Sequence, residues 1–238
     1  MTMERIVPDE LDAAEITGGQ TLSLHLDRYR FAAAELTAPR RILDMACGVG
    51  YGSHLLAQRY PDATVVGVDL SAEAVGYARD RYQLPNLTFV AADAMRYLAD
   101  ATFDAVVSLE TIEHLPDPEA FLRHVTRTLL ASKGMFVGSV PTTPSVDANP
   151  HHLTDFSERS FRRLLARNRL VEVTSFRQTQ PFNPLKVATR TEDRMKGMRQ
   201  GMLGYYARHP AGLAKRALST VVDGFNNKYI TIAAHLER

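Results

Sequence analysis

Two short clusters in this chain hold the residue types that do chemistry. One is Glu110-Thr-Ile-Glu113-His114; the other is the His151-His152 pair in Asn149-Pro-His-His-Leu. Carboxylates and imidazoles together make a mixed oxygen and nitrogen donor set, suited to Mg²⁺ or to a transition metal. Glu110, Glu113, His114 and one of the two later histidines are the candidate ligands. His114 and His152 are also candidate catalytic bases that would deprotonate an acceptor with no metal present. A third reading makes His114 a helix-start residue bonded to backbone. A second group of acids, Asp44, Asp69 and Asp93, falls where apolar runs stop. Asp44 opens Asp44-Met-Ala-Cys-Gly48-Val-Gly50-Tyr-Gly52, a turn whose glycines allow close backbone approach. A carboxylate at Asp69 can accept both hydroxyls of a ribose. One at Asp93, beside Ala94, can accept from the exocyclic amine of an adenine. The turn has neither the G-x-G-x-x-G phosphate pattern nor the Gly-Lys-Ser/Thr of a P-loop, which suits a nucleoside without a pyrophosphate.

The elements that must position these residues are legible as alternating runs. Arg41–Ala46, Thr64–Asp69, Leu87–Ala91, Phe103–Leu109 and Gly134–Val140 are short, apolar and bounded by Gly, Pro, Asp or Asn, as buried strands are. Amphipathic stretches separate them, with Ser71 and Asp117-Pro118 as helix starts. This alternation predicts βαβ units, a parallel sheet and helices on both faces. Ligands of such sheets lie beyond the carboxyl ends of the strands, which is where the acids fall. Phe156–Asn168 reads as a further helix, and Arg169–Phe176 and Tyr229–Leu236 as two further strands. Ahead of the first strand, Leu22–Leu36 reads as a helix with His25 and Tyr29 on one face.

The chain thus divides into an N-terminal helical cap (1–40), a core (41–180), an insertion (181–228) and a last strand (229–238). So long a stretch before that strand should carry its own structure. From Lys186 to Arg216 it holds eight Lys/Arg against two acids, with Met195, Met198 and Met202 at helical spacing. It reads as a surface helix pair or as a methionine-lined lid over a substrate.

Composition narrows the classes. With 238 residues, 28 Lys/Arg against 27 Asp/Glu and 45% apolar residues, the chain can build a large core. A lone Cys47 excludes an internal disulfide framework and a multi-cysteine metal cluster. No apolar run reaches the ~20 residues of a membrane span, and the acidic start lacks a secretory h-region. These features predict a cytoplasmic chain with no membrane partner. Near-neutral charge argues against a nucleic-acid partner. A homodimer is allowed but not required.

Over Arg41 to Phe176, the motifs ILDMACGVGYG, VVGVDLS, FVAADA, FDAVVSLETIEHL and GMFVGSVP resemble the class I S-adenosylmethionine-dependent methyltransferases. The resemblance implies an α/β, Rossmann-like seven-stranded sheet, mostly parallel with an antiparallel last strand. It implies S-adenosylmethionine as cofactor: Asp44, Gly48 and Gly50 beside the methionine part, Asp69 and Leu70 at the ribose, Asp93 and Ala94 at the adenine. Leu109 and Glu110 would close the pocket beside the sulfonium. Ala46 stands where many members have Gly. The E-x-x-E-H pattern is similar to that of ubiquinone-biosynthesis and small-RNA O-methyltransferases, which implies a divalent cation such as Mg²⁺ with His152 completing the set. The N-terminal helix and the turn look like those of enzymes acting on cell-surface glycans and secondary metabolites, which implies a small-molecule acceptor with a sugar or phenol hydroxyl. Other readings are an RNA 2′-O-methyltransferase, an NAD-dependent oxidoreductase and a catalytically silent cofactor-binding subunit.

Overall fold

The computed structural model describes residues 7–8, 16–183 and 198–237. Among them, seven strands form one sheet in the order β3-β2-β1-β4-β5-β7-β6. The strands are β1 (Arg41–Met45), β2 (Thr64–Asp69), β3 (Leu87–Ala91), β4 (Phe103–Leu109), β5 (Leu130–Pro141), β6 (Leu170–Pro181) and β7 (Asn226–Leu236). The first five run parallel, and β7 lies antiparallel between β5 and β6. This is the predicted Rossmann-like sheet. From β1 the chain winds outward through β2 to β3, then returns to β4 on the other side of β1. That switch opens a crevice at the carboxyl ends of β1 and β4.

Alternating strand residues feed two cores. Ile42, Val65, Ala105 and Val107 meet the helices α1 (Ile16–Glu35), α2 (Tyr51–Arg59) and α3 (Ala72–Arg81) on one face. Leu43, Met45, Phe103 and Val106 meet α4 (Pro118–His124) and α5 (Glu158–Arg167) on the other. The helix starts are capped as their sequences require: the Ala74 N–H donates to Ser71 Oγ, and the Ala120 N–H donates to Asp117 Oδ1.

Several boundaries differ from the sequence reading. Phe121, Leu122, Val125, Leu129 and Leu130 recur at helical spacing in the sequence, yet the helix stops at His124, and Val125–Leu129 form a wide π turn. The reason is tertiary: Leu130 is drawn into the sheet opposite Phe103, so β5 starts early and bulges before Met135 pairs with Ala105. The last two strands reach Pro181 and Asn226, because β6 and β7 pair along their whole length beyond the predicted core boundary. Between them, among the described residues, lie the helices α6 (Met202–Arg208) and α7 (Pro210–Asp223). Met195 lies outside the described residues.

The turn after β1 is close-packed. Gly50 has φ 88°, and a Cβ there would lie 2.7 Å from Ala78 Cβ and 2.8 Å from the Phe89 ring. Gly50→Ala is therefore expected to lose about 1–3 kcal/mol of stability through crowding, with backbone strain added. A chemical denaturation midpoint shows this; an unchanged midpoint would mean that the turn yields freely.

Candidate active site

At the carboxyl end of β1 lies a fully buried carboxylate, Asp44. Its Oδ2 accepts from Ser53 Oγ at 2.6 Å, and the Tyr29 hydroxyl spans both oxygens at 3.1 and 3.2 Å. Tyr29 reaches it because Gly52 has no Cβ, which would lie 1.9 Å from the ring. Burial pushes the Asp44 carboxyl up to about 7, against the lowering effect of the Ser53 and Tyr29 hydrogen bonds and with a smaller upward push from Asp69. Burial first, and Asp44 second, push the Tyr29 phenol well up. Tyr29 is thus both packed and polar, and His25 on the same helix shares a 2.8 Å hydrogen bond with the Tyr51 hydroxyl.

Asp69 ends β2, where its Oδ2 accepts from the Gly48 N–H and its Oδ1 from the Ser71 N–H, both at 2.9 Å. One carboxylate so ties the Gly turn of β1 to the start of α3. Ala46 adopts φ 66° and Gly48 φ 56° in that turn. Left-handed backbone favours glycine, which gives the expected Ala-for-Gly departure a small conformational cost. A Cβ on Gly48 would meet nothing within 4 Å, so the turn is open at that position although packed at Gly50 and Gly52. Asp93 follows β3 half-buried and caps its own turn through the Met95 N–H at 2.8 Å. The pairing of β1 with β2, and of β2 with β3, brings Asp44, Asp69 and Asp93 to one edge of the sheet. Ala94 is half-buried there, and Leu70 projects into solvent, 76% exposed. Cys47 is buried, its thiol pushed well up by desolvation, which suits a packed turn residue with no redox role.

Beyond β4 the backbone strains to turn. Glu110 has φ 50°, held by Ser139: the Glu110 N–H donates to Ser139 Oγ at 3.0 Å, and that hydroxyl donates to Glu110 Oε1 at 2.8 Å. Arg28 from α1 supports the same carboxylate at 3.6 Å. This buried guanidinium also donates to Gln178 Oε1 at 2.7 Å and covers the Tyr229 ring at 4.3 Å. Sequence reasoning passed over Arg28 and Ser53. The signal for Arg28 was its place on the His25, Tyr29, Ala32 and Ala33 face, where an unpaired charge could not be buried.

The turn Ile112–His114 then meets the loop that follows β5. The Leu153 and Thr154 N–H groups donate to the Glu113 carbonyl at 2.8 and 3.2 Å, docking that loop onto the turn. The loop closes on itself through Asp155 Oδ1, which accepts from the Ser145 and Val146 N–H groups. Glu113, His114 and His152 consequently converge, each offering a ligand atom within 4.8 Å of the others. Glu113 is buried, and the two imidazole rings stand edge to face at 4.5 Å. Among the described residues Glu110 is not part of this group; its carboxylate is engaged by Ser139 and Arg28. His114 Nδ1 lies 3.2 Å from the His151 carbonyl, which makes it the donor there. Burial, then His114, lower His152 to about 3, so it is neutral near pH 7. Its Nδ1 sits 2.7 Å from Ser145 Oγ. His151 is exposed.

This cluster borders a cavity of about 530 Å³ under α6 and α7, lined by Pro141, Pro144, Phe182, Met198, Met202, Tyr206, Phe225 and Tyr229 among others. The predicted helix pair is present, and Met198 and Met202 line the cavity beside it. This helical segment is latched by Asp147, which pairs with Arg216 at 2.5 Å and accepts from Tyr206 at 2.6 Å. Arg199 adds hydrogen bonds to the carbonyls of Val146 and Asp147.

Residues 42–132 match the family model described as a methyltransferase domain. The chain is 33% identical over 111 residues to a fatty-acid O-methyltransferase of Mycolicibacterium smegmatis, a match covering 44% of this chain and 40% of that one. It is 33% identical over 180 residues to a Mycobacterium tuberculosis protein named "Probable S-adenosylmethionine-dependent methyltransferase", covering 73% of this chain and 62% of that one. The chain therefore spans between 40% and 62% of the length of these two relatives. Among solved structures, the YcgJ protein of Bacillus subtilis shares the fold, with a TM-score of 0.65 at 17% identity over 90% of this chain and 100% of that one.

The latch makes a prediction. Asp147→Asn strips the partly exposed Arg216 guanidinium of its counter-charge, which should cost about 1–3 kcal/mol locally. Amide exchange should quicken across 142–156 and 202–223 while β1 to β3 stay protected; equal protection in both proteins would show that the pair does not hold the two segments together.

Proposed function

The chain carries a class I S-adenosylmethionine-dependent methyltransferase domain, and from that premise we propose that it moves a methyl group onto a hydroxyl of a small acceptor with an apolar body. The observation that carries this reading is the adjacency of two compartments on one sheet edge. One holds the three carboxylates and the Gly turn; the other is the apolar cavity with Glu113, His114 and His152 at its border. Glu110 lies where they meet.

The first compartment fits the cofactor. S-adenosylmethionine, when bound, supplies an electrophilic methyl on a cationic sulfur. Asp44, desolvated and held among the described residues by the Tyr29 and Ser53 hydroxyls, would gain from a nearby ammonium. Asp69 would exchange one backbone donor for the ribose hydroxyls, and Gly48 leaves room for the methionine part. Asp93 with Ala94 would face the adenine. Leu109 and the strained Glu110, fixed by Ser139 and Arg28, would close the pocket beside the sulfonium.

A hydroxyl oxygen that attacks a methyl in line must shed its proton, and the second compartment offers two ways to help. An imidazole held near 3 is a weak base, since general bases work best near the operating pH. The same depression suits a ligand, because a coordinating imidazole must be neutral. One carboxylate and two imidazoles fit a divalent cation, and the His114 Nδ1–carbonyl bond is of the kind that orients such ligands. We therefore favour Glu113, His114 and His152 as holders of a divalent ion, the nitrogen donors suiting Mn²⁺, Fe²⁺ or Zn²⁺ better than Mg²⁺. Such an ion would lower the pKa of the acceptor hydroxyl. Of the acceptors anticipated, a phenolic or hydroxylated apolar metabolite suits the proline, methionine and aromatic lining better than a bare sugar, whose many hydroxyls would lack partners.

Two expected outcomes test this reading. In the free protein Asp44 keeps its proton below about 7, and a cationic ligand stabilises its carboxylate. Cofactor affinity, by calorimetry, should thus fall by up to about tenfold per pH unit as pH drops from 7 towards 5.5, and Asp44→Asn should flatten the slope. A flat wild-type profile would remove Asp44 from the cofactor site. In an acceptor screen with labelled S-adenosylmethionine, EDTA should abolish turnover and Mn²⁺ restore it. His152→Ala should cut kcat by about 10²-fold or more with cofactor affinity unchanged. Turnover indifferent to EDTA would sink the metal and leave methyl transfer standing.

A further inference from the structure

An ion held by Glu113, His114 and His152 would make the acceptor hydroxyl more acidic, but another group must carry the proton away. Both imidazoles would have their lone pairs occupied by the ion. Among the described residues the cavity lining offers few other bases. Glu110 accepts from Ser139 and faces the Arg28 guanidinium. The Tyr206 hydroxyl donates to Asp147, the Tyr229 hydroxyl donates to Gln180, and Arg216 is a cation paired with Asp147. The remaining titratable side chain of that lining is His25.

His25 stands where the two compartments meet. On α1 it shares a face with Thr21, four residues earlier, and both line the acceptor cavity. One turn further on, about 5 Å along the helix axis, Arg28 faces Glu110 and Tyr29 holds Asp44. His25 Nδ1 lies 2.8 Å from the hydroxyl of Tyr51, the residue after Gly50 in the cofactor turn. The Tyr29 ring braces Tyr51 in turn, edge-on at 6.1 Å. The imidazole is therefore tied to the cofactor side through Tyr51 while it forms part of the acceptor wall. In the tautomer that donates from Nδ1 to the Tyr51 oxygen, Nε2 carries the lone pair. A base oriented by a third group in this way is the usual arrangement for proton abstraction.

We propose that His25 is the general base of the methyl transfer, taking the proton of the acceptor hydroxyl as its oxygen attacks. This deepens the methyltransferase reading and rests on it. An oxygen lone pair forms the new O–CH₃ bond, and the electron pair of the CH₃–S bond returns to sulfur, leaving neutral S-adenosylhomocysteine. The hydroxyl proton passes to the His25 imidazole, which then gives it to water. The positive charge lost by sulfur reappears on the imidazolium, so the net charge of the closed site is unchanged during the transfer.

The first test needs no acceptor. With S-adenosylmethionine carrying an isotope-labelled methyl bound to the full chain, a nuclear Overhauser contact should join that methyl to a ring proton of His25, assigned by its loss in His25→Gln. The variant should bind S-adenosylmethionine calorimetrically within about twofold of wild type, which also shows that it is folded. With phenols and catechols that turn over in the labelled screen, its kcat should fall about 10²-fold or more near neutral pH. That deficit should shrink by up to about tenfold per pH unit in the alkaline range, because the hydroxyl then ionises to solvent unaided. A packing role would instead leave a deficit indifferent to pH. Bound cofactor without the His25 contact, wild-type turnover by His25→Gln, or a pH-indifferent deficit would overturn the proposal and leave the methyltransferase reading intact. Wild-type protein that fails to bind S-adenosylmethionine would overturn both.

Discussion

A carboxylate held out of water at the end of the central strand constrains much of this structure. Asp44 is fully buried, so it must be hydrogen-bonded by its own surroundings. The partners come from two elements, Tyr29 from α1 and Ser53 from α2. Both need missing side-chain atoms to get there. Gly52 makes way for the Tyr29 ring, and Gly67, opposite Asp44 in β2, makes way for Ser53 Oγ and Phe89. The N-terminal helix is therefore more than an appendage: it supplies part of the shell of the central charge.

The same helix reaches the other compartment. The residue before Tyr29, Arg28, meets Glu110, Gln178 and Tyr229. Tyr29 and Arg28 are neighbours in sequence, yet they hold groups on either side of the β1–β4 switch. A shift of α1 would disturb both at once, which couples the proposed cofactor and acceptor sites through one rigid element. Glu110 is the hinge residue between them, and its left-handed backbone is the kind of strain that functional turns retain.

Much of this was legible in sequence, for identifiable reasons. β2, β3 and β4 are apolar runs cut off by turn residues, and their limits match the structure residue for residue. Asp44, Asp69 and Asp93 could be placed because strand ends in a parallel sheet share one edge. What escaped was decided by distant contacts. Leu130 looked helical from its neighbours but pairs with Phe103. Glu110 belonged to a plausible ligand pattern, yet Ser139, opposite Leu109 on the adjoining strand, takes its carboxylate. No spacing rule reveals which way a side chain turns when the backbone crosses into positive φ. The latch of Asp147 with Arg216 joins residues far apart in the chain and likewise has no local signature.

The most direct measurement is a crystal structure of the protein soaked with S-adenosylhomocysteine. The account predicts the ligand stretched along the strand ends, its amino group near Asp44, ribose on Asp69, adenine at Asp93, and sulfur turned toward Glu110 and the apolar cavity. A ligand bound elsewhere, or a crevice left vacant at saturating concentration, would contradict it.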